Sequence, residues 1–344
     1  MSVGIVRDNI YLEHITDDYH PENVSRLKSI YAMLDSIDDK GIEYVPPRMA
    51  THEEIALIHE PSYIESIKAT KGKTQRRLDP DTVTSPMSYE ASCMAVGGVL
   101  NLADKLMDGS IESGFALVRP PGHHAERNRA MGFCIFNNIA VAAQYLEKKH
   151  GLKRIIIVDF DLHHGNGTQH SFYTNPGVMY FSTHQYPYYP GTGHYDEVGE
   201  GEGKGYTVNV PLSYGMNDAD YVYVFKNLLT PITDLYKPEA VLVSAGFDTH
   251  HNDPLGGMGV TEAGYAAMTR ILIDIAKKHA NGRALFALEG GYDIKGLTSS
   301  VKAVLMEMRG TPMHGTENLG KHSDGVVETV KRVKKALNPY WGDF

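Results

Sequence analysis

The sequence predicts an α/β protein built on a doubly wound, mostly parallel β-sheet. Apolar runs of strand length alternate with helical patterns from about residue 115 to residue 308, which is the order of successive β–α units. Several of these runs are apolar at every position, as expected for parallel strands that helices cover on both sides. No Pro/Ser-rich linker or change of composition divides the 344 residues, so we expect one domain over residues 1–344.

The individual elements follow from the same periodicities. The predicted strands are Phe115–Val118, Ile155–Val158, Val178–Ser182, Thr207–Pro211, Ala240–Ser244 and Ala284–Leu288. The predicted helices are Asn138–Lys149, Asp218–Tyr236, Thr261–His279 and Ile294–Met308. Asn217 or Asp218 is a good N-cap because its side chain can accept a free backbone N–H of the first helical turn. Thr261 is only a partial cap, since Gly264 stands where a capping box has Glu or Gln.

The net charge of the sequence argues against a nucleic-acid-binding protein. The formal net charge is −9, and the clearest basic groups, within 71–77 and 331–335, are short. A nucleic-acid-binding protein normally carries a basic surface that neutralises phosphates, so we expect no nucleic-acid partner. An acidic surface instead favours cationic substrates.

The sequence shows no sign of secretion or membrane insertion. The N-terminal residues lack the basic and apolar segments of a signal peptide, and no run approaches the ~18 apolar residues of a membrane span. Cys93 and Cys134 are too few for a disulfide framework or a four-cysteine zinc site. We therefore expect a cytoplasmic protein without a membrane partner.

Polar segments follow five of the predicted strands. They are Arg119–Ala125, Asp159–Gly167, Ser182–His184, Ala245–Asp248 and Glu289–Tyr292. In a doubly wound sheet the ligand binds beyond the carboxyl ends of the strands, so reactive residues are expected there. Burying several Asp and His side chains without partners or a metal is costly, which favours a functional site at this edge.

Asp161, His163 and Asp248 form a candidate metal site. Asp161 and His163 are two residues apart, so in extended backbone their side chains share a face. Asp248, from another strand end, completes a three-ligand set with open positions, which is typical of a catalytic metal site. Oxygen and nitrogen ligands without thiolate suit Zn²⁺, and also Fe²⁺ or Mn²⁺. The alternative is a group of hydrogen-bonded core residues, and spacing alone does not decide.

The tandem His123-His124 and Tyr292 are candidate catalytic residues. Neighbouring side chains in extended backbone point in different directions, so one histidine can deprotonate a metal-bound water while the other supports the site. Each imidazole needs an acceptor for its other nitrogen, and Asp159 and Asn166 are the available candidates. Tyr292 follows two glycines, which allow the backbone to aim its hydroxyl at an oxyanion. A structural histidine pair and a packed aromatic ring are the alternatives.

In this order, the motifs resemble those of the histone deacetylase and acetylpolyamine amidohydrolase superfamily. The resemblance runs from His20-Pro-Glu-Asn23 to about Met308. It rests on Arg-Pro-Pro-Gly-His-His, Asp-x-Asp-x-His-His-Gly-x-Gly, Gly-Phe-Asp and Glu-Gly-Gly-Tyr, which are very specific together. The tract Arg119–Ala143 is most similar to class II histone deacetylases and their bacterial relatives. The resemblance implies the arginase/deacetylase fold, a single parallel sheet between helices.

The same resemblance implies three cation sites. Zn²⁺, with Fe²⁺ as an alternative, is bound by Asp161, His163 and Asp248. The first structural K⁺ site uses Asp159, Ser182 and the main chain of Asp161, His163 and Thr183. The second K⁺ site uses main-chain oxygens near Phe172, Asn175 and Val178, with Tyr206 nearby.

The resemblance also assigns catalytic roles. It implies that His124 is the general base, that His123 is its electrostatic or acid partner, and that Tyr292 clamps the substrate carbonyl. Asp159 then orients His123, and Asn166 orients His124. Some members have aspartate at the position of Asn166, and a neutral amide stabilises an imidazolium less than a carboxylate does.

An acyl-lysine tunnel is implied as well. Its expected substrate-binding residues are Gly132, Phe133, Tyr189, Leu255 and Gly291. Most members have phenylalanine where Tyr189 stands, so the wall is expected to be more polar here. Leu255 stands where the eukaryotic polyamine-specific member has an acidic gatekeeper, and leucine cannot recognise a secondary amine in that way. Arg26 matches a residue that lines an internal channel.

We therefore expect a zinc-dependent amidohydrolase that removes acyl groups, acetyl above all, from lysine side chains of proteins or peptides. Two alternatives stay open: a deacetylase of acetylated polyamines or other small N-acyl amines, and a non-catalytic protein that binds acylated ligands. The complete set of metal, base and tyrosine residues argues against the second alternative. Homo-oligomerisation is left open.

Overall fold

Strands and helices alternate along the computed structural model, which describes residues 2–17, 19–38, 40–313, 315–316 and 319–344. The strands within these ranges are β1 Val3–Val6, β2 Ile42–Tyr44, β3 Arg76–Arg77, β4 Val83–Thr84, β5 Ser113–Ala116, β6 Ile155–Asp159, β7 Val178–Gln185, β8 Thr207–Leu212, β9 Ala240–Ala245 and β10 Ala284–Leu288.

The helices in the described ranges are α1 Ser25–Ser36, α2 His52–Ile55, α3 Pro61–Lys68, α4 Ser88–Met107, α5 Asn138–His150, α6 Asn166–Phe172, α7 Asp218–Val224, α8 Thr230–Tyr236, α9 Glu262–His279, α10 Ile294–Met308 and α11 Asp324–Trp341. Short 3₁₀ turns occur at Asn9–Leu12 and Gly201–Gly203, and a π turn occurs at Phe225–Leu229. None of the helices described is long and apolar enough to cross a membrane.

The described strands form one large parallel sheet and one small hairpin. The sheet has the order β2-β1-β5-β10-β9-β6-β7-β8, and each pair of neighbours is parallel. All residues of β5, β6, β9 and β10 are buried, so both faces of the sheet are covered. β3 and β4 pair antiparallel. The sequence prediction of a parallel sheet flanked by helices is therefore confirmed.

Three predicted elements differ from the structure by more than one residue. Strand β5 lies at Ser113–Ala116, two residues before the predicted Phe115–Val118. Strand β7 continues to Gln185, so Ser182–His184 belongs to the strand and does not follow it. The predicted helix Asp218–Tyr236 is divided by the π turn, because Pro231 lacks an N–H and its ring crowds the preceding turn.

The N-termini of α7 and α9 agree with the caps that the sequence predicted. Asn217 accepts the N–H groups of Ala219 and Asp220, and Asp220 accepts the Asn217 N–H, which completes a capping box on α7. Thr261 makes no side-chain cap on α9, and its hydroxyl donates to Asp218 at 2.6 Å instead.

Candidate metal centre and catalytic pocket

The candidate site lies where the carboxyl ends of neighbouring strands meet. Asp161 and His163 follow β6, and Asp248 follows the adjacent strand β9. Tyr292 follows β10, which pairs with β9 on its other side. The tandem His123-His124 follows β5, the next strand in the sheet. The topology therefore gathers four chain segments at one edge, as expected for a doubly wound sheet.

Asp161, His163 and Asp248 form a tight, buried cluster. Their candidate ligand atoms all lie within 4.8 Å of one another. His163 Nδ1 is 3.2 Å from Asp161 Oδ1 and 3.1 Å from Asp248 Oδ2. Backbone N–H groups fix both carboxylates: Leu162 donates to Asp248 Oδ1 and Gly290 donates to Asp161 Oδ2, each at 2.8 Å.

The charges of this cluster fit a bound cation. Burial and the neighbouring Asp161 raise the pKa of Asp248 to about 7, although His163 acts in the opposite direction. Two buried carboxylates so close together repel each other, and a cation between them removes the repulsion. Two carboxylates and one imidazole offer oxygen and nitrogen donors of the kinds that bind zinc in three-ligand sites with open positions.

Each histidine of the tandem has one partner on its Nδ1. His123 Nδ1 lies 3.1 Å from Asp159 Oδ2, and His124 Nδ1 lies 2.7 Å from Asn166 Oδ1. The amide oxygen of Asn166 can only accept, so His124 carries its proton on Nδ1 and leaves Nε2 as an acceptor. Burial, then His123 and His163, lower the pKa of His124 well below its usual value. His124 is thus a neutral imidazole.

A narrow cavity of about 90 Å³ opens onto these groups. It is lined by Asp81, His124, Gly132, Phe133, His163, Tyr189, Leu255 and Tyr292. Gly132, Phe133, Tyr189 and Leu255, named from the sequence as substrate-binding residues, are thus brought together. Gly291 is not among the lining residues; it is buried, and a Cβ there would lie 2.8 Å from Phe247 Cβ.

The cavity walls are aromatic and closely fitted. The Tyr189 ring meets the His124 and His163 rings edge to face, at 5.1 and 5.9 Å between centroids. Phe133 meets Tyr292 in the same way at 5.9 Å, and it holds an unusual positive φ of 69°. A Cβ at Gly132 would lie 2.3 Å from the His124 ring, so only glycine leaves room for this histidine.

Tyr292 lies in a loop whose main-chain carbonyls are hydrogen-bonded to a buried arginine. Arg26 donates to the carbonyl of Gly291 at 2.7 Å and to that of Glu289 at 2.5 Å, and it lies over the Tyr292 ring. Burial and the charge of Asp248 raise the pKa of Tyr292 well above its usual value. The phenol is therefore protonated and able to donate a hydrogen bond.

The residues named for the first K⁺ site lie together on β6 and β7. Asp159 pairs in register with Ser182, and the Thr183 hydroxyl donates to the Asp159 carbonyl at 3.5 Å. Asp161 and His163 follow on the same segment, where each N–H donates to the carboxylate two residues earlier. The Ser182 hydroxyl is also hydrogen-bonded to His184 Nδ1 at 2.9 Å.

The residues named for the second K⁺ site surround the turn between α6 and β7. The Phe172 carbonyl accepts the Asn175 N–H at 2.9 Å, and the Asn175 carbonyl accepts the Val178 N–H at 3.4 Å. The Tyr206 ring lies 5.8 Å from the Tyr236 ring, whose hydroxyl donates to main-chain oxygens of the same turn.

Two residues of the site had no role assigned from the sequence. Asp81 lines the cavity but follows no strand of the large sheet, so a search at strand ends could not find it. Glu289 accepts the N–H groups of Gly122 and His123, at 2.7 and 3.1 Å, and so anchors the histidine segment. Its position directly after β10 was the signal available in the sequence.

The sheet and the residue cluster together define an α/β protein with a candidate metal site at the carboxyl edge of a parallel sheet. The chain belongs to the histone deacetylase domain family, whose model matches residues 20–308.

Individual proteins resemble the chain over most of its length. A probable deacetylase of Archaeoglobus fulgidus is 35% identical over 363 residues, which covers 100% of both chains. The polyamine deacetylase HDAC10 of Danio rerio is 38% identical over 312 residues, which covers 87% of this chain and 46% of that protein. The HDA15 HD domain has a TM-score of 0.92 at 37% identity, over 99% of this chain and 95% of that one.

Several relatives are much longer than this chain. The chain spans between 42% and 54% of the length of further histone and polyamine deacetylases that it matches.

Proposed function

We propose that this chain is a zinc-dependent amidohydrolase that removes acyl groups, acetyl above all, from lysine side chains of peptides or proteins. One observation carries the proposal: His163 of the candidate metal-ligand cluster, the neutral His124 and the protonated Tyr292 line one cavity of about 90 Å³. A narrow cavity with aromatic walls fits an unbranched acylated chain.

The donor set of Asp161, His163 and Asp248 supports zinc as the catalytic metal. Bound there, Zn²⁺ supplies a Lewis acid that polarises the acyl carbonyl and lowers the pKa of a water molecule. Fe²⁺ is the alternative that the same donors accept. Metal analysis of the protein purified without added metal would distinguish the two.

The protein's own residues perform the proton transfers. His124 accepts a proton from the attacking water on its free Nε2, while its Nδ1–H stays bound to Asn166. Tyr292 donates a hydrogen bond to the oxyanion that develops on the carbonyl oxygen. The carbon–nitrogen bond then breaks as a protonated histidine returns the proton to the departing amine. Burial opposes a charge on His123, but Asp161 and Asp159 outweigh it and raise the pKa of His123 to about 10, so this residue adds positive charge next to His124.

The two K⁺ sites remain part of this proposal. The oxygen-rich surroundings of Asp159, Ser182 and Thr183 support the first, and the main-chain carbonyls of Phe172 and Asn175 support the second. A thermal melt in KCl at constant ionic strength should lie above one in tetramethylammonium chloride, because a bound ion stabilises the folded state. Equal melting temperatures would contradict structural K⁺.

Deacetylation of small acetylated polyamines is the second candidate function. Asp81 lines the cavity, so its carboxyl group can attract a cationic amine, and the similar proteins include polyamine deacetylases. Leu255, which also lines the cavity, offers no charge for such an amine. Acetyl-lysine peptides and acetylspermidine, assayed side by side, would distinguish the two substrates by their kcat/KM ratio.

The deciding experiment compares zinc-reconstituted wild type with Asp248→Ala on both substrates. We expect wild type to hydrolyse the peptide and Asp248→Ala to lose both bound zinc and activity. Asp274→Ala, the same change at an exposed position of α9, is the matched control and should keep both. A wild type that binds zinc and an acylated peptide but hydrolyses no acyl amide would favour the non-catalytic binding protein.

A further inference from the structure

A chain of hydrogen bonds leads from His124 to the protein surface. His124 Nδ1 donates to Asn166 Oδ1 at 2.7 Å, and Asn166 Nδ2 donates to Glu126 Oε1 at 2.6 Å. Both oxygens of Glu126 then lie within hydrogen-bond distance of His170 Nδ1, at 2.9 and 3.1 Å. His124, Asn166 and Glu126 are buried, whereas half of the His170 side chain is exposed.

Glu126 is ionised in this chain. Burial opposes ionisation, but hydrogen bonds from His170 and Asn166 outweigh it and lower the pKa of Glu126 below its usual value. An ionised carboxylate accepts hydrogen bonds and cannot donate them. Its neighbour Asn166 must therefore present its NH₂ group to Glu126.

The orientation of one amide fixes the tautomer of the next group. With its NH₂ group turned to Glu126, Asn166 presents its carbonyl oxygen to His124. That oxygen requires a proton on His124 Nδ1, which leaves the Nε2 lone pair facing the cavity. If Asn166 were turned over, its NH₂ group would donate to Nδ1 and place the imidazole proton on Nε2, where it blocks proton transfer.

We propose that Glu126 is a positioning residue that acts through Asn166 to hold His124 in its reactive tautomer and to polarise that hydrogen bond toward the imidazolium. This inference rests on the proposed function of His124 as the base. The charged carboxylate of Glu126, two hydrogen bonds from His124, thus provides part of the stabilisation that a carboxylate in direct contact would give to the imidazolium. No proton moves along the chain, because the amide only reorients and polarises.

Close packing between helix α6 and the histidine segment keeps the hydrogen-bonded groups within bonding distance. Helix α6 begins at Asn166, and the next residue, Gly167, lies against the segment that carries both His124 and Glu126. A Cβ at Gly167 would lie 2.2 Å from the carbonyl oxygen of Ala125. Only glycine allows α6 to approach so closely, and this approach brings Asn166 between the other two side chains.

The test exchanges the carboxylate of Glu126 and the amide of Asn166, which places the negative charge in direct contact with His124. In Glu126→Gln the charge is lost, and mainly the longer bond of 3.3 Å from Asn166 Nδ2 to the His124 carbonyl favours the reactive orientation of the amide, so we expect kcat to fall roughly ten- to hundredfold. In Asn166→Asp two carboxylates face each other, so activity should fall as well. In the double variant, the introduced carboxylate accepts from His124 and the introduced amide donates to that carboxylate, so kcat should recover to within a few-fold of wild type.

This reciprocal rescue separates positioning from a purely structural role. If Glu126 only stabilised the fold, the decreases in kcat of the two single variants would add up in the double variant. That result would overturn the proposal. Glu307→Gln is the matched control, because Glu307 is also buried and paired with a cation, Arg270, but lies away from the cavity. It should leave kcat unchanged, and zinc content should be equal in all variants.

A spectroscopic measurement keeps the test independent of turnover. ¹⁵N-labelled histidine NMR of the zinc-loaded protein reports which ring nitrogen of His124 carries the proton. We expect the Nδ1–H form in wild type and in the double variant, and a mixture in Glu126→Gln. An unchanged tautomer in Glu126→Gln would overturn the inference even if the protein hydrolysed no acyl amide, whereas absent turnover with the expected tautomers would overturn only the proposed function.

Discussion

The side-chain carboxylate of Asp253 accepts the backbone N–H of Tyr292 at 2.6 Å. The same oxygen accepts the Asp293 N–H at 3.1 Å, and the other oxygen accepts the Leu255 N–H at 3.0 Å. Asp253 is buried, so these bonds are shielded from water. One carboxylate therefore links the loop that carries the proposed oxyanion donor to the loop that contributes Leu255 to the cavity lining.

Replacing Asp253 with Asn should misplace Tyr292 without disturbing the metal site. The amide cannot accept from three N–H groups on both of its sides, so at least one bond is lost. We expect kcat on an acetyl-lysine peptide to fall roughly ten- to hundredfold, because small misplacements of a catalytic group are costly. Asp293→Asn, the same change at an N-cap of the same loop, should stay near wild type because Asn also caps helices. Similar rates in both variants would contradict the positioning of Tyr292 by Asp253.

Tyr292→Phe tests the phenol hydroxyl itself. Loss of one oxyanion donor typically lowers kcat by about 10²–10³, and we expect a fall of that size with zinc content unchanged. The phenyl ring keeps the packing against Phe133, so the melting temperature should stay close to that of wild type. Steady-state kinetics beside metal analysis checks both points. A variant with wild-type kcat would exclude the role of Tyr292 as oxyanion donor.

The periodicity of the sequence was sufficient to predict the strands in the central part of the sheet. β10 and α10 have the predicted bounds, because a short apolar run and a capped amphipathic stretch specify them locally. Helix α4 was not predicted, since Gly97 and Gly98 in its middle lower the helix propensity. A Cβ at Gly97 would lie 1.9 Å from the carbonyl oxygen of Arg48. The glycine is thus required by a neighbour that is distant in sequence, and a local pattern cannot show this.

The same limit applies to the candidate site. Asp161, His163 and Asp248 were found because each follows a strand, and parallel topology then brings them together. Asp81 comes from a loop before α4, and its approach to the cavity depends on how that loop folds over the sheet edge. Glu126 was adjacent to a recognised motif, but its importance depends on α6 placing Asn166 against it.

Removal of the metal should lower thermal stability as well as activity. The buried carboxylates of Asp161 and Asp248 repel each other, and a cation that binds only the folded state stabilises it by about 2.7 kcal/mol at a hundredfold excess over its Kd. We therefore expect chelation to abolish turnover and lower the melting temperature, and added Zn²⁺ to restore both. Asp248→Ala should show no zinc-dependent rise in melting temperature. An equal rise in that variant would place the bound zinc elsewhere.

The buried imidazole of His59 should make the protein acid-sensitive. Its Nδ1 donates to the Glu126 carbonyl and its Nε2 accepts the Asn137 N–H, both at 2.9 Å. Both ring nitrogens of the neutral imidazole are therefore hydrogen-bonded, and a proton added to Nε2 would break one of these bonds. Burial lowers the pKa of His59 from 6.5 to about 4, although its hydrogen bonds to main-chain groups act in the opposite direction. Between these values the unfolded chain binds a proton that the folded protein does not. His59 therefore stabilises the fold above pH 6.5, and this contribution is lost as the pH falls toward 4.

Urea denaturation at pH 7.5 and pH 5.0 measures this loss. The pKa difference predicts that His59 alone lowers the free energy of unfolding by about 2 kcal/mol between the two conditions. His59→Gln should be less stable than wild type at pH 7.5, but its decrease on going to pH 5.0 should be smaller by that amount. His52→Gln, the same change at a partly exposed position, is the matched control. If His59→Gln retains the wild-type pH dependence, another buried group must cause the acid sensitivity.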